Sequence, residues 1–228
     1  MAEFSDHGSS KISKISPIRN TSKSHEVFRR LRAAIWSGDL GPGTPLKEAH
    51  IAKQLNVSQV PVREALLQLE HLGLVVRVPD KGTHVTKLSR AEMVQLIEVR
   101  SHLEDLAFRL AASKMTPEIE AELRERLSEL QERIDAKDHL GVAEADLKFH
   151  ETIWRASGNA VLEKTLDQLC VSVYAFVGLQ RQAKGEQMAT VPHEVLLDAL
   201  LKRDAKLISR RIRDHLAPES FIPQSISD

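Results

Sequence analysis

Disulfide bonding, membrane crossing and export are each opposed by something this sequence lacks. Its 228 residues contain a single cysteine, Cys170. That excludes an internal disulfide framework and fits a reducing compartment. No apolar run approaches the roughly 20 residues needed to span a bilayer. The first 23 residues are rich in Ser and Lys and lack the apolar core of a signal peptide. They read as a flexible arm, and the protein as cytoplasmic with no membrane partner. From Ser89 to Leu216 there is no convincing strand pattern, only helical periodicity. Internal repeats and low-complexity tracts are missing beyond the arm and a short tail over 218–228.

Net charge is also missing, since 32 Lys+Arg balance 32 Asp+Glu. The balance is uneven along the chain. Residues 1–88 carry 13 basic against 8 acidic side chains, a net of +5, whereas residues 89–228 carry 19 against 24, a net of −5. Phosphate binding favours the basic half.

That half holds the most distinctive pattern. Val27, Phe28, Leu31 and Ile35 stripe a first helix over Ser24–Trp36, and the glycine-rich stretch 38–43 forces a loop. Ile51, Ala52 and Leu55 mark a short helix that Asn56-Val57 interrupts. Ser58 stands at an N-cap position, Pro61 lies in the first turn, and Val62, Ala65, Leu66 and Leu69 stripe a second helix that Gly73 stops. Leu74–Val78 and Thr83–Thr86 read as strands around the turn Pro79-Asp80-Lys81-Gly82. Helix, turn, helix and wing form a shape that places one helix in the major groove of DNA and a loop beside the minor groove.

The remainder reads as six helices: about 89–114, 117–137, 139–157, 159–183, 190–202 and 204–217. Ser89 with Glu92 forms a capping box, and Thr116-Pro117 opens the next helix. The expected fold is mainly α, an N-terminal winged helix-turn-helix (24–88) followed by an all-α six-helix bundle (89–217).

Gly38-Asp39-Leu40-x-Pro42-Gly43, Leu46-x-Glu48 and Val57-Ser58-x-x-Pro61-Val62-Arg63-Glu64-Ala65-Leu66 resemble the GntR family of bacterial transcription regulators over about residues 24–86. The resemblance implies that Arg63 grips a guanine edge and that Ser58 and the amides around it contact phosphate. The implied DNA-contacting set is Ser58, Gln59, Val60, Arg63, Lys81 and Gly82, with Glu64, Leu66 and Leu69 as scaffold. Ala49 and Gln59 replace arginines that well-studied members use on DNA, which implies a different operator. Gln59 suits an adenine. The alternative for Arg63 is a surface residue paired along its own helix.

Polar residues interrupt three apolar stripes of the helical half. Asp146 and His150 stack at i,i+4 among Ala143, Leu147, Ile153 and Trp154. His193 precedes Leu196, Leu197 and Leu200, and His215 follows Ile208 and Ile212 on their stripe. One inward histidine is usually a hydrogen-bonded core residue. An Asp and three His aimed into one bundle need common partners, and a divalent metal would satisfy all four. The Asp146-x-x-Phe149-His150 motif, His193 and His215 are similar to the FCD effector domain of one GntR subfamily, in its shorter, vanillate-regulator-like form. That resemblance implies a zinc or nickel ion at these four residues and a small organic acid held by the metal and Arg100. It also implies a homodimer on a palindromic operator, most commonly a repressor released by ligand. The alternative for Arg100 is a salt bridge to Glu104.

Two other readings stay open here: a regulator with a structural metal or no metal and a different effector, and a metal-dependent hydrolase. Against the hydrolase, His150-Glu151 lacks the second histidine of HExxH, and no serine or cysteine sits in a nucleophile's setting. Cys170 lies in an apolar helix as packing.

Overall fold

The computed structural model describes residues 23–184, 192–217 and Ile222. The arm over 1–22, the stop expected at Gly185, the helix start expected near 190 and most of the 218–228 tail lie outside the described residues. Three helices and a hairpin form the N-terminal unit: α1 (Lys23–Trp36), α2 (Glu48–Leu55), α3 (Gln59–His71), β1 (Val75–Val78) and β2 (Gly82–Val85). Six further helices follow: α4 (Arg90–Ser113), α5 (Pro117–Asp135), α6 (His139–Ala156), α7 (Ala160–Lys184), α8 (Glu194–Lys202) and α9 (Ala205–His215). The expected fold class is the one observed.

Val27, Leu31 and Ile35 of α1 are buried, as are Val62, Leu66 and Leu69 of α3, and the two helices pack together. Asn56 takes a left-handed conformation between α2 and α3, which short polar side chains tolerate best after glycine. Ser58 has the extended backbone of an N-cap but makes no side-chain capping bond. The strands are shifted by one residue from the expected limits, because Val78 pairs with Gly82 across a three-residue turn. Gly82 has φ +83°, and nothing stands within 4 Å of where its side chain would be. Pro45 bridges to His84 and Leu46 N–H donates to the Thr83 carbonyl at 2.8 Å, adding a short third edge that the sequence reading did not assign.

In the bundle, α4 is the hub, touching α6, α7, α8 and α9. Ser89 and Glu92 close the expected capping box: Ser89 N–H donates to Glu92 Oε2 at 2.8 Å and Glu92 N–H to Ser89 Oγ at 3.3 Å. Asn159 Oδ1 accepts from Leu162 N–H and so caps α7. The helix expected from 190 begins at Glu194, and His193 is its N-cap. Pro192, with no N–H to donate, directly precedes it.

One contiguous apolar core joins the N-terminal unit to the bundle. The Gln168 side chain meets His71 at 2.6 Å. A side chain at Gly38 (φ +85°) would collide with Leu179. Ser89→Ala is expected to lower the unfolding free energy by about 1 kcal/mol, measured by urea titration. Unchanged stability would mean that the box does not hold the start of α4.

Candidate metal centre and DNA-reading surface

Helices α6, α8 and α9 each bring part of the expected histidine–aspartate set to one point. Asp146 and His150 lie one turn apart on α6, His193 stands at the mouth of α8, and His215 closes α9. All four are buried, with at most 6% of the residue exposed. Each offers a ligand atom, and these atoms lie within 4.8 Å of one another. His193 Nε2 is 2.7 Å from Asp146 Oδ1, His150 Nε2 is 4.0 Å from Asp146 Oδ2, and the Nε2 atoms of His150 and His215 are 3.2 Å apart. Donors about 2.1 Å from a common tetrahedral or octahedral ion would be about 3.0–3.4 Å apart, so the spacing suits one.

Hydrogen bonding points the same way. Both Asp146 carboxylate oxygens, His193 Nε2 and His215 Nδ1 are buried and make no hydrogen bond of acceptable geometry. Buried polar atoms are costly without partners, and four of them converge here. Phe149 meets His150 and His193 edge-on, at ring centroid distances of 5.6 and 5.1 Å, and walls the cluster with apolar surface.

Burial pushes the Asp146 carboxyl up, but His193, His150 and His215 outweigh it and hold it well below the usual carboxylate range. Burial, with the rings of His193 and His150, pushes His215 well below its ordinary value. An ionised Asp and a neutral His are the forms that ligate metals.

Arg100 faces inward, as expected, and is buried. Its Nε donates to Glu104 Oε1 at 3.0 Å and its Nη2 to the Tyr174 hydroxyl at 2.5 Å. The salt bridge weighed as an alternative is therefore present.

Glu104 is the residue that the sequence reading undervalued. Besides Arg100, it accepts from Trp154 Nε1 at 3.0 Å and faces His150 Nδ1 at 3.1 Å. A carboxylate on Nδ1 fixes the tautomer that leaves Nε2 free to ligate. The available signal was its place on the inward face of α4, between Arg100 and Ala107. No spacing within one element signals its pairing with His150 and Trp154 of α6.

On the N-terminal unit, Ser58, Gln59, Val60 and Arg63 are exposed along the first turns of α3, and Lys81 and Gly82 are exposed at the wing tip. Arg63 pairs with Glu48 of α2, not along its own helix: Nε is 3.1 Å and Nη2 2.8 Å from Glu48 Oε2. The pair occupies one edge of the guanidinium. Nη1 takes no part in this pair.

A winged helix-turn-helix joined to a helical bundle defines a DNA-binding regulator with a second, all-helical domain. Residues 23–85 match the gntR family of bacterial regulatory proteins, and residues 95–218 match the FCD domain. The chain is 33% identical over 189 residues to a probable D-xylose utilization operon transcriptional repressor of Paenarthrobacter nicotinovorans, covering 83% of this chain and 82% of that protein. It is 28% identical over 193 residues to the transcriptional repressor RspR of Escherichia coli, covering 84% of each. The solved structure of E. coli McbR/YncC matches with a TM-score of 0.69 at 25% identity, over 88% of this chain and 96% of that one. A GntR regulator from Rhodococcus sp. RHA1 shares the fold, with a TM-score of 0.72 at 23% identity over 88% of this chain and 96% of that one.

The chain belongs to the GntR family, in the group whose C-terminal half is an FCD domain. It is a transcription regulator and not an enzyme, which sets aside the hydrolase reading. Among the described residues, no helix is long and apolar enough to cross a membrane.

Glu104 also makes a prediction about acid stability. Burial raises its carboxyl, but His150 and Arg100 bring it down to about 2 from an ordinary 4.5. The unfolded chain therefore takes up this proton first. The resulting stabilisation is complete above pH 4.5 and is lost as the pH falls toward 2. Glu104→Gln should flatten that part of a stability–pH profile measured by thermal melting. An identical slope in the variant would contradict the assignment.

Proposed function

We propose that this regulator is a homodimeric repressor whose operator affinity is set by a small organic acid bound at a metal centre. Residues 24–88 are the DNA-binding unit and residues 89–217 the effector domain. Asp146, His150, His193 and His215 hold a divalent ion, zinc or nickel, which supplies a Lewis-acid site for a carboxylate. The observation that carries this reading is the convergence of four buried ligating residues, three of which, Asp146, His193 and His215, carry polar atoms without hydrogen-bond partners. FCD domains are known to bind metal, which supports it further.

The chain's own side chains do the rest. Glu104 orients His150. Arg100, fixed by Glu104 and Tyr174, supplies the cationic fork that suits a ligand carboxylate. The ligand acts through its differential affinity for two arrangements of the DNA-binding units. Repressors among the relatives favour repression as the sign. On DNA, Arg63 reads a guanine, Gln59 an adenine and the exposed Val60 a thymine methyl, while Ser58, Lys81 and the Gly82 backbone contact the sugar–phosphate path. A palindromic operator follows from two-fold symmetry.

Two experiments test the halves separately. Protein purified without chelators or a His-tag should carry about one metal per chain by elemental analysis, and His150→Ala/His193→Ala should lose it. Small metal-chelating acids should then raise the melting temperature of the wild type and not of the variant. No bound metal after incubation with zinc or nickel would refute the centre. For the DNA half, duplexes selected from a random pool define the operator. Arg63→Ala should cost about 1–3 kcal/mol and relax preference at one base pair, while Lys81→Ala weakens all sequences alike and reduces the salt slope by about 1. Uniform weakening by Arg63→Ala would refute its role as a base reader.

A further inference from the structure

Helix α4 has two apolar faces, and the chain buries only one of them. Met93, Ile97, Ala107, Phe108 and Ala111 make the inner face and are fully in the core. Leu96, Val99, Leu103, Leu106 and Leu110 form a second line, spaced three, four, three and four residues apart. That spacing is the a/d repeat of a coiled-coil seam. Val99 is 52% and Leu106 38% exposed, while Leu96, Leu103 and Leu110 are half-buried at the edge of the core. Single exposed apolar residues need no explanation. Five in register along about 21 Å of helix do.

We propose that this line is the homodimer seam, with α4 of one chain packing antiparallel on α4 of a second copy about a two-fold axis near Leu103. The proposal rests on the homodimeric reading above and names the surface that makes the dimer. Charge on the polar flank selects the occupant and its direction. Glu98 and Arg109 are both exposed. They stand eleven residues apart, only about 20° from each other around the helix. The midpoint between them falls between Leu103 and Glu104, and the midpoint of the apolar line falls on Leu103.

An antiparallel second copy centred there sets Glu98 of each chain beside Arg109 of the other, twice, as an isologous interface requires. In a parallel copy the two charged flanks would lie on opposite sides of the seam, and these pairs would not form. The Asp105 carboxylate holds Arg109 Nη2 at 2.9 Å and keeps that guanidinium on the flank. Five apolar side chains are fewer than fill the roughly 800 Å² per partner of a standard interface, so one or two charges within the line should break it.

Sedimentation velocity of the full chain over a micromolar concentration series tests this. The wild type should sediment at twice the 25.5 kDa chain mass. Val99→Glu/Leu106→Glu, at exposed positions, should halve that mass while leaving the helical content and metal content unchanged. Glu98→Arg and Arg109→Glu should each weaken the dimer, and the double exchange Glu98→Arg/Arg109→Glu should restore it. A dimer that survives Val99→Glu/Leu106→Glu would overturn the seam and leave the homodimeric reading standing. A double exchange no better than the singles would overturn the antiparallel register. A monomeric wild type would overturn seam and homodimer together.

Discussion

A carboxylate buried among three imidazoles is the constraint on which the helical half depends. Asp146 has almost no contact with solvent, and burial alone would force it to keep its proton. It stays ionised because His150, His193 and His215 face it from its own helix and from the starts and ends of two others. Those histidines occupy positions that apolar residues would otherwise fill, so the bundle gives up hydrophobic packing at its centre for a polar layer. Such a layer is costly unless every member finds a partner. The open valences on Asp146, His193 and His215 are the physical reason to place an ion there.

The polar layer also reaches the helix that follows the wing in the chain. His150 leans on Glu104, and Glu104 on Arg100, so the layer extends from α6 into α4 and, through Tyr174 and Trp154, ties in α7 and a second turn of α6. Helix α4 leaves the wing through only Thr86–Ser89 and begins on a tight capping box. The layer and the wing are thus joined by one continuous helix. The exposed first turn of α3 is itself organised, with Arg63 held by Glu48 across the helix-turn-helix. Holding one edge of a guanidinium reduces the side-chain freedom lost when the other edge meets a base.

Local periodicity made much of this legible in the sequence. The stripes on α1, α2 and α3, the Ser89–Glu92 box and the inward aspect of Asp146, His150, His193 and His215 each follow from spacing within one element. Pairings across elements did not show. Glu104 sits 46 residues from His150 and 50 from Trp154, and Arg63 sits 15 from Glu48. No period encodes which side chains meet once helices pack. His193 was read one step too far into a helix because an N-cap and a first-turn residue share the same apolar neighbours. The roles of the DNA-contacting residues came from family resemblance, since exposed residues carry no periodic signal, and so did the ligand-binding role of the buried Arg100.

The most direct test of the central claim is X-ray absorption at the zinc edge of zinc-loaded protein. Three imidazole nitrogens and a carboxylate oxygen at about 2.0–2.2 Å, with imidazole scattering lost in part on His215→Ala, are the predicted result. A shell of oxygens alone, or a spectrum unchanged by His215→Ala, would place the metal elsewhere and contradict the account.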